Sequence, residues 1–303
     1  MVSFDWAMKR LLRNKANFEV LEGFLSELLR RKIIVKNIAE SESNKNDENE
    51  KGTRVDILVE ADGKEMVIVE LQYFGERGYL QRILYGASKV ITNHHAKDEK
   101  YSNVRKVYSV SIVYFDLGEG DDYIYHGYTE FKGLHTQTAL QLSNDQRKLY
   151  NKDFPNEIFP EYYLIKLGKF NEVAKNTLDE WVYYLKKNQI RDDFTAQGIG
   201  KAREILAYDN LSEQEKARYD RAIEMRLLAD SEIRTSRFEG KLEGKLEGRI
   251  EGEAIGLEKG EQKKALAIAA KLLKKGVPFE EVAELTGLDV DELKNHGADG
   301  VEK

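Results

Sequence analysis

The sequence predicts an α/β fold, on three observations: two β-branched runs joined by an Asp-Gly turn, amphipathic helices on either side of them, and a second half whose periodicity is helical. At 303 residues the chain has room for one well-packed domain and a smaller appendage.

The helices come first. Residues 4–12 and 17–31 read as helical, with Phe18, Leu21, Leu25, Leu28 and Leu29 recurring at helical spacing to form one apolar face. Residues 33–38 read as a short strand, and 41–52, SESNKNDENEKG, as a polar loop with no apolar residue. Two strand-like runs follow at 54–59 and 66–73, separated by Ala61-Asp62-Gly63-Lys64, the chemistry of a tight hairpin. A helix is expected over 79–92, a strand over the alternating run 107–115, and a further strand over 123–131. From about 150 to 235 the pattern is helical, and the stripe Trp181, Tyr183 and Tyr184 reads as core packing in preference to a base-stacking platform.

Residues 239–260 repeat with a period of four, with Gly240, Gly244, Gly248, Gly252, Gly256 and Gly260 in one column and Glu239, Glu243, Glu247 and Glu251 in another. Each interior glycine costs a helix about 1 kcal/mol relative to alanine, so this segment reads as a linker that becomes helical in an oligomer. The interleaved charges exclude a membrane Gly-xxx-Gly helix. A helix over 263–275 and a second one opened by Pro278 place Ala283, Gly287 and Leu293 at helix-turn-helix positions. Its second helix offers Asp289, Asp291 and Glu292, which phosphates repel, so a protein-contact module is the preferred reading. The expected organisation is therefore a domain at 1–150, a helical extension at 151–238, the Glu/Gly repeat at 239–262 and a helical hairpin at 263–298.

Composition excludes several classes. The chain has no cysteine, which removes disulfides, thiol catalysis and Cys-based zinc sites and points to a reducing compartment, the cytoplasm. Asp5, Lys9, Arg10 and Arg13 interrupt any signal-peptide core, and no run approaches the ~20 apolar residues of a membrane span, so no membrane partner is expected. Net charge is −6, yet residues 1–36 carry eight Lys/Arg against four acids. Two readings of that basic stretch stand, a DNA-facing surface and a solvated helix face. His94 and His95 are adjacent with no third ligand at metal spacing and read as a polar helix end. Phosphate-loop and serine-hydrolase motifs are absent.

The chemistry concentrates in the hairpin. Asp56 lies in TRVDILVE and Glu70 in VIVELQYF, each a carboxylate among β-branched residues where burial without a partner is costly. Side chains alternate along a strand, so Glu70 and Gln72 share a face, and hairpin pairing brings Asp56 to it. Two acids and an amide then converge on one hard cation, the donor set that Mg²⁺ favours. Such an ion activates water and neutralises charge on a phosphodiester under attack. The alternative is a solvated Asp56 and a Glu70 paired with Arg54 or Lys64.

These residues resemble the PD-(D/E)XK nuclease superfamily, and within it the Rpn family of recombination-promoting nucleases and transposases, which carries a VD … VE-x-Q arrangement. FDWAMKRLL at 4–12, YLQRILYGAS at 79–88, KFNEVAKNTLDEWVYYLKK at 169–187 and KKGVPFEEVAELTGLDVDELK in the tail resemble that family too. The resemblance implies a restriction-endonuclease-like core, a mixed central sheet flanked by helices, followed by a helical C-terminal region. It implies a Mg²⁺-dependent DNA endonuclease, Mn²⁺ substituting, with Asp56 and Glu70 as metal ligands and Gln72 where the general pattern has lysine. Lys9 or Lys64 is then the candidate for the missing charge. Gln81 and Tyr85 match an accessory Gln-x-x-x-Tyr pair, Arg82 beside them could meet a phosphate bidentately, and Asp5 either approaches the ion or caps the first helix. The implied setting is DNA recombination, transposition or defence against foreign DNA in a bacterium, with a homodimer formed through the C-terminal helical region. Rival readings are a DNA-binding or interaction protein that kept the fold without catalysis, and an RNA nuclease.

Overall fold

A computed structural model describes residues 1–10, 14–39, 54–291, 293 and 294, with backbone alone at 9, 10, 54–56 and 62. The acidic loop expected at 41–52 lies outside the described residues. The chain divides into two compact units, Met1–Leu228 and Ala229–Lys303.

In the first unit, helices α1 (Phe4–Arg10) and α2 (Phe18–Leu29) precede strands β1 (Val35–Ala39), β2 (Arg54–Ala61) and β3 (Met66–Gln72). Next come α3 (Tyr79–Asn93), β4 (Val107–Val113), β5 (Ile124–Gly127), α4 (Asn144–Tyr150) and β6 (Glu161–Lys166). Helices α5 (Thr177–Lys187) and α6 (Ile199–Ile205) follow, then α7 (Glu213–Lys274) and α8 (Phe279–Thr286). The six strands form one mixed sheet in the order β1-β2-β3-β4-β6-β5. β3, β4 and β6 run parallel at its centre, and antiparallel strands lie on both flanks.

The sheet does not end at residue 150. β6 pairs with β4 on one side and β5 on the other, so the segment expected as a helical extension supplies a sheet strand. Helices α5 and α6 complete the core on the face formed by Val67, Val69 and Leu71. There Phe4, Phe24, Trp181 and Tyr184 pack edge to face, the Phe24–Trp181 pair tilted, with centroids 5.7 to 6.5 Å apart. Trp181 and Tyr184 are fully buried, and the Tyr184 hydroxyl donates to Val2 O at 2.9 Å, so the aromatic stripe is core. Burying an aromatic pair in such geometry adds about 1 kcal/mol beyond the area term. The opposite face of the sheet, with Leu58, Met66 and Val107, is covered by α3 through Ala87.

The hairpin between β2 and β3 turns through Asp62–Lys64, where Gly63 adopts φ 77° and Ala61 N donates to Glu65 O at 2.8 Å. The three-residue turn is one longer than an Asp-Gly hairpin requires, and Lys64 also takes a positive φ of 64°.

The Glu/Gly repeat is helical throughout, as part of the 62-residue α7. Beyond its chain neighbours and the helix's own backbone, no described atom lies within 4 Å of a β-carbon placed on any of its six glycines, so no other described segment packs on them. Relative to alanine these glycines cost the helix about 6 kcal/mol. In the second unit the end of α7, α8 and Leu293 enclose a small core of Ala269, Val282 and Leu293. Gly287 caps α8 in the left-handed conformation at φ 71°, which provides the turn. No helix among the described residues is long and apolar enough to cross a membrane.

Candidate active site

The β2–β3 register decides the geometry. Asp56 pairs directly with Glu70, and Arg54 with Gln72. Directly opposed positions of an antiparallel pair share a face, so the backbone brings positions 54, 56, 70 and 72 to one side of the sheet. On the other flank of β3, Glu70 is in register with Ser111 of β4. A polar row, Asp56, Glu70 and Ser111, thus crosses three strands whose other face is apolar core.

Glu70 and Gln72 are both buried, at 5% and 7% exposure, although both are polar. The Gln72 amide donates through Nε2 to Phe74 O at 2.9 Å, while its Oε1 is buried with no hydrogen-bond partner. Ser111 Oγ is likewise buried and unpartnered. Buried polar oxygens without donors are uncommon and costly, by about 1–3 kcal/mol each. An amide oxygen beside a buried carboxylate suits a hard cation, which prefers carboxylate and carbonyl oxygens.

Helix α3 reaches the site through Arg82. Arg82 pairs through Nη2 with Glu70 and through Nη1 with Glu76, in the loop after β3. Its guanidinium also lies 5.5 Å from the Tyr79 ring centroid. Gln81 and Tyr85 are not brought in. Burial of Tyr79, Ile83 and Ala87 fixes the rotation of α3 and leaves Gln81 and Tyr85 exposed.

Asp5 lies inside the first turn of α1, so it is not that helix's cap. Its carboxylate accepts from the Tyr73 hydroxyl at 2.8 Å and sits 3.6 Å from Arg226 Nη1. Tyr73 stacks on Tyr114 at 4.3 Å and packs against the core on the face away from Glu70. Burial first, then the Asp5 charge, pushes the Tyr73 hydroxyl far above its ordinary range, so it stays a proton donor. Asp5 is thereby held to a structural network on the far side of the sheet.

Lys64 lies at the opposite end of β3 from Gln72 and so does not supply the lysine's charge. Of Lys9 only the backbone, on α1, is described. The exposed cations Arg30, Arg31 and Lys32 follow α2, and Arg31 pairs with Glu65 at the start of β3. That is about 20 Å of strand from Gln72, so these three do not flank the site. Glu76, Ser111 and the register position of Arg54 are site features that the sequence reading missed. His94 closes α3 as its C-cap, with Nδ1 2.9 Å from Val90 O, and His95 stacks on Tyr101. Among the described residues no group of three or more His, Asp or Glu gathers as a metal site.

Comparison with known families gives two matches. Residues 2–236 match the PD-(D/E)XK nuclease family transposase profile. The chain belongs to this family. Residues 262–297 match the C-terminal HTH domain of the Rpn/YhgA-like nuclease family. Neither curated proteins nor solved structures gave a match. PD-(D/E)XK nucleases generally use divalent metal ions, and a buried Glu70 and Gln72 on one face of β3, the Gln72 Oε1 without a partner, offer oxygens that fit such an ion. The PD-(D/E)XK sheet also extends to β6, consistent with a match that runs well past residue 150. In the HTH segment, Asp289 Oδ1 accepts from Asp291 N at 2.7 Å, so this acid caps the final turn of helix.

Proposed function

We propose that this chain is a divalent-metal-dependent DNA endonuclease that hydrolyses phosphodiester bonds, with Mg²⁺ as its ion and Mn²⁺ as a substitute. The observation that carries the reading is the register of Asp56 against Glu70, with the unpartnered Gln72 amide oxygen two residues on. Asp56 and Glu70 would hold the ion, and Gln72 would offer a third oxygen. When bound, the ion acidifies water and neutralises charge on the phosphate.

The remaining work falls to the chain's own residues. Gln72 positions by hydrogen bonding where the general pattern has a charged lysine. Arg82 is the described cation that reaches Glu70, and its planar fork suits a phosphate's paired oxygens. Glu76 holds the same guanidinium from the loop side and so orients it. Gln81 and Tyr85, on the exposed face of α3, would meet the nucleic acid outside the reacting centre. The family and its HTH domain support DNA as the partner and a transposase-like role; transposition, recombination or defence would be the setting. A homodimer joined through the C-terminal helical region would present two centres to two strands.

The test is cleavage of duplex DNA in Mg²⁺, its loss in EDTA, and its loss by about 10²–10³-fold, on the order expected for removing a charge-stabilising group, in Asp56→Ala and Glu70→Ala. Activity that survives both substitutions sinks the assignment. Preferential cleavage of RNA in a parallel assay would move the substrate, and tight DNA binding without cleavage would leave a binding protein.

A further inference from the structure

The repeat in α7 carries more than glycine. Phe238, Leu242, Leu246 and Ile250 fall four residues apart and are each at least half exposed. Glu239, Glu243, Glu247 and Glu251 follow them on one side, and Lys241, Lys245 and Arg249 precede the next apolar residue on the other. Residues four apart are neighbours on a helix surface. The repeat therefore stacks acid on acid and base on base, the arrangement that destabilises a lone helix. None of these acids, and neither lysine, makes an ion pair within the described chain; Arg249 alone reaches Glu253, at 3.8 Å.

A second copy resolves that repulsion in one orientation only. Across an apolar ridge, parallel helices bring opposite flanks together, whereas antiparallel helices bring like flanks together. Parallel pairing sets each acidic column against the partner's basic column; antiparallel pairing sets acid against acid. We propose that α7 binds α7 of a second copy, parallel and in register, along the ridge Phe238, Leu242, Leu246 and Ile250. A four-residue repeat exceeds the 3.6-residue turn, so the ridge drifts in the sense opposite to a heptad and the pair wraps right-handed. Ridges of this spacing interdigitate at a crossing of about −50°. The two copies then enter the paired segment from the same end. This rests on the proposal that the C-terminal helical region joins two copies, and it adds the surface and the direction.

The full-length chain, free of native cysteine, permits a direct measurement. Ser236→Cys and Lys259→Cys, both at exposed positions outside the ridge, each take one nitroxide for pulsed dipolar spectroscopy, with sedimentation on the same samples. Parallel pairing gives an intermolecular distance below about 30 Å at both sites. Antiparallel pairing about the ridge centre, residue 244, separates like labels along the axis by about 24 Å at 236 and about 45 Å at 259, at 1.5 Å per residue. A distance of about 45 Å at 259 in a sedimenting dimer overturns the parallel arrangement and leaves dimerisation standing; a monomer overturns both. Leu246→Glu should dissociate the dimer by sedimentation with the thermal transition of the first unit retained, and a variant that stays dimeric places the contact elsewhere and overturns the assignment of the ridge.

Discussion

At Arg82 one side chain joins a helix to the candidate metal acid, and its removal separates positioning from ion binding. Arg82→Ala is expected to lower kcat/KM by about 10–100-fold, the loss of one charge-assisted contact in a dry site, while Mn²⁺ affinity by calorimetry is retained or improved. A loss of Mn²⁺ binding would show Arg82 holding the site together instead. Away from the site, Lys106 Nζ donates to Glu161 at 2.8 Å, and His126 Nε2 lies 2.8 Å from the other carboxylate oxygen. Burial raises the Glu161 pKa, but hydrogen bonds from Lys106 and His126 outweigh it and hold the group below its ordinary value. Its stabilisation is thus complete above about pH 4.3 and fades as pH falls through the lower folded value. Glu161→Gln should cost roughly 3 kcal/mol at pH 7 by leaving Lys106 buried and unpaired, with the difference from the parent shrinking in acid. Urea titrations at pH 7 and pH 3.5 measure it; a constant difference refutes the linkage. At this scale the shared sheet face of positions 56, 70 and 72 was legible, because strand alternation and a tight turn fix which positions of a hairpin pair. The rotation of α3 was not, since Leu80 and Leu84 offer an apolar stripe as convincing as Tyr79 and Ile83, and only packing chooses between them.

Among the elements, α2 and α6 approach closely at Gly23, where a β-carbon would sit 2.2 Å from Gln197 O and 2.8 Å from Gly198 Cα. Neither obstacle is a flexible side chain, so helices must separate. Gly23→Ala is expected to destabilise the first unit by about 2–4 kcal/mol, read from its denaturation midpoint, although alanine favours the helix itself. A neutral substitution would show that α6 moves freely. Most helices and the first four strands follow from periodicity, including α3 to within a residue at its end. β6 did not, because EYYLIK is a short run in which helix and strand patterns coincide, and what makes it a strand is the pairing β4 offers. The four-residue repeat was read as a linker that becomes helical in an oligomer, and in the structure the single chain is helical there; the Leu, Glu and Lys between the glycines favour helix and offset part of the glycine cost.

For the molecule as a whole, the expected boundary at 150 is the reading most in need of revision. β6, α5 and α6 belong to the same compact unit as the candidate site, through Leu228. A fragment of residues 1–150 lacks Ile165, Trp181 and Tyr184 from its core and should show no cooperative thermal transition by circular dichroism. Residues 1–228 should show one, and a folded 1–150 fragment would restore the earlier boundary. The family and the fold class were legible from motif order along the chain. The extent of the unit was not, because a boundary is set by which distant segments share a core, and local patterns do not record that.

The order β4-β6-β5 has an outcome for how the protein is made. When β4 leaves the ribosome its lengthwise neighbour has not been synthesised, and about fifty further residues must emerge before Lys166 can close the gap. Until then a strand with buried Val110 and Ile112 presents a bare margin on which any other extended chain can template. Slow translation or a stall between 113 and 166 therefore exposes the newborn polypeptide to aggregation at its most vulnerable stage.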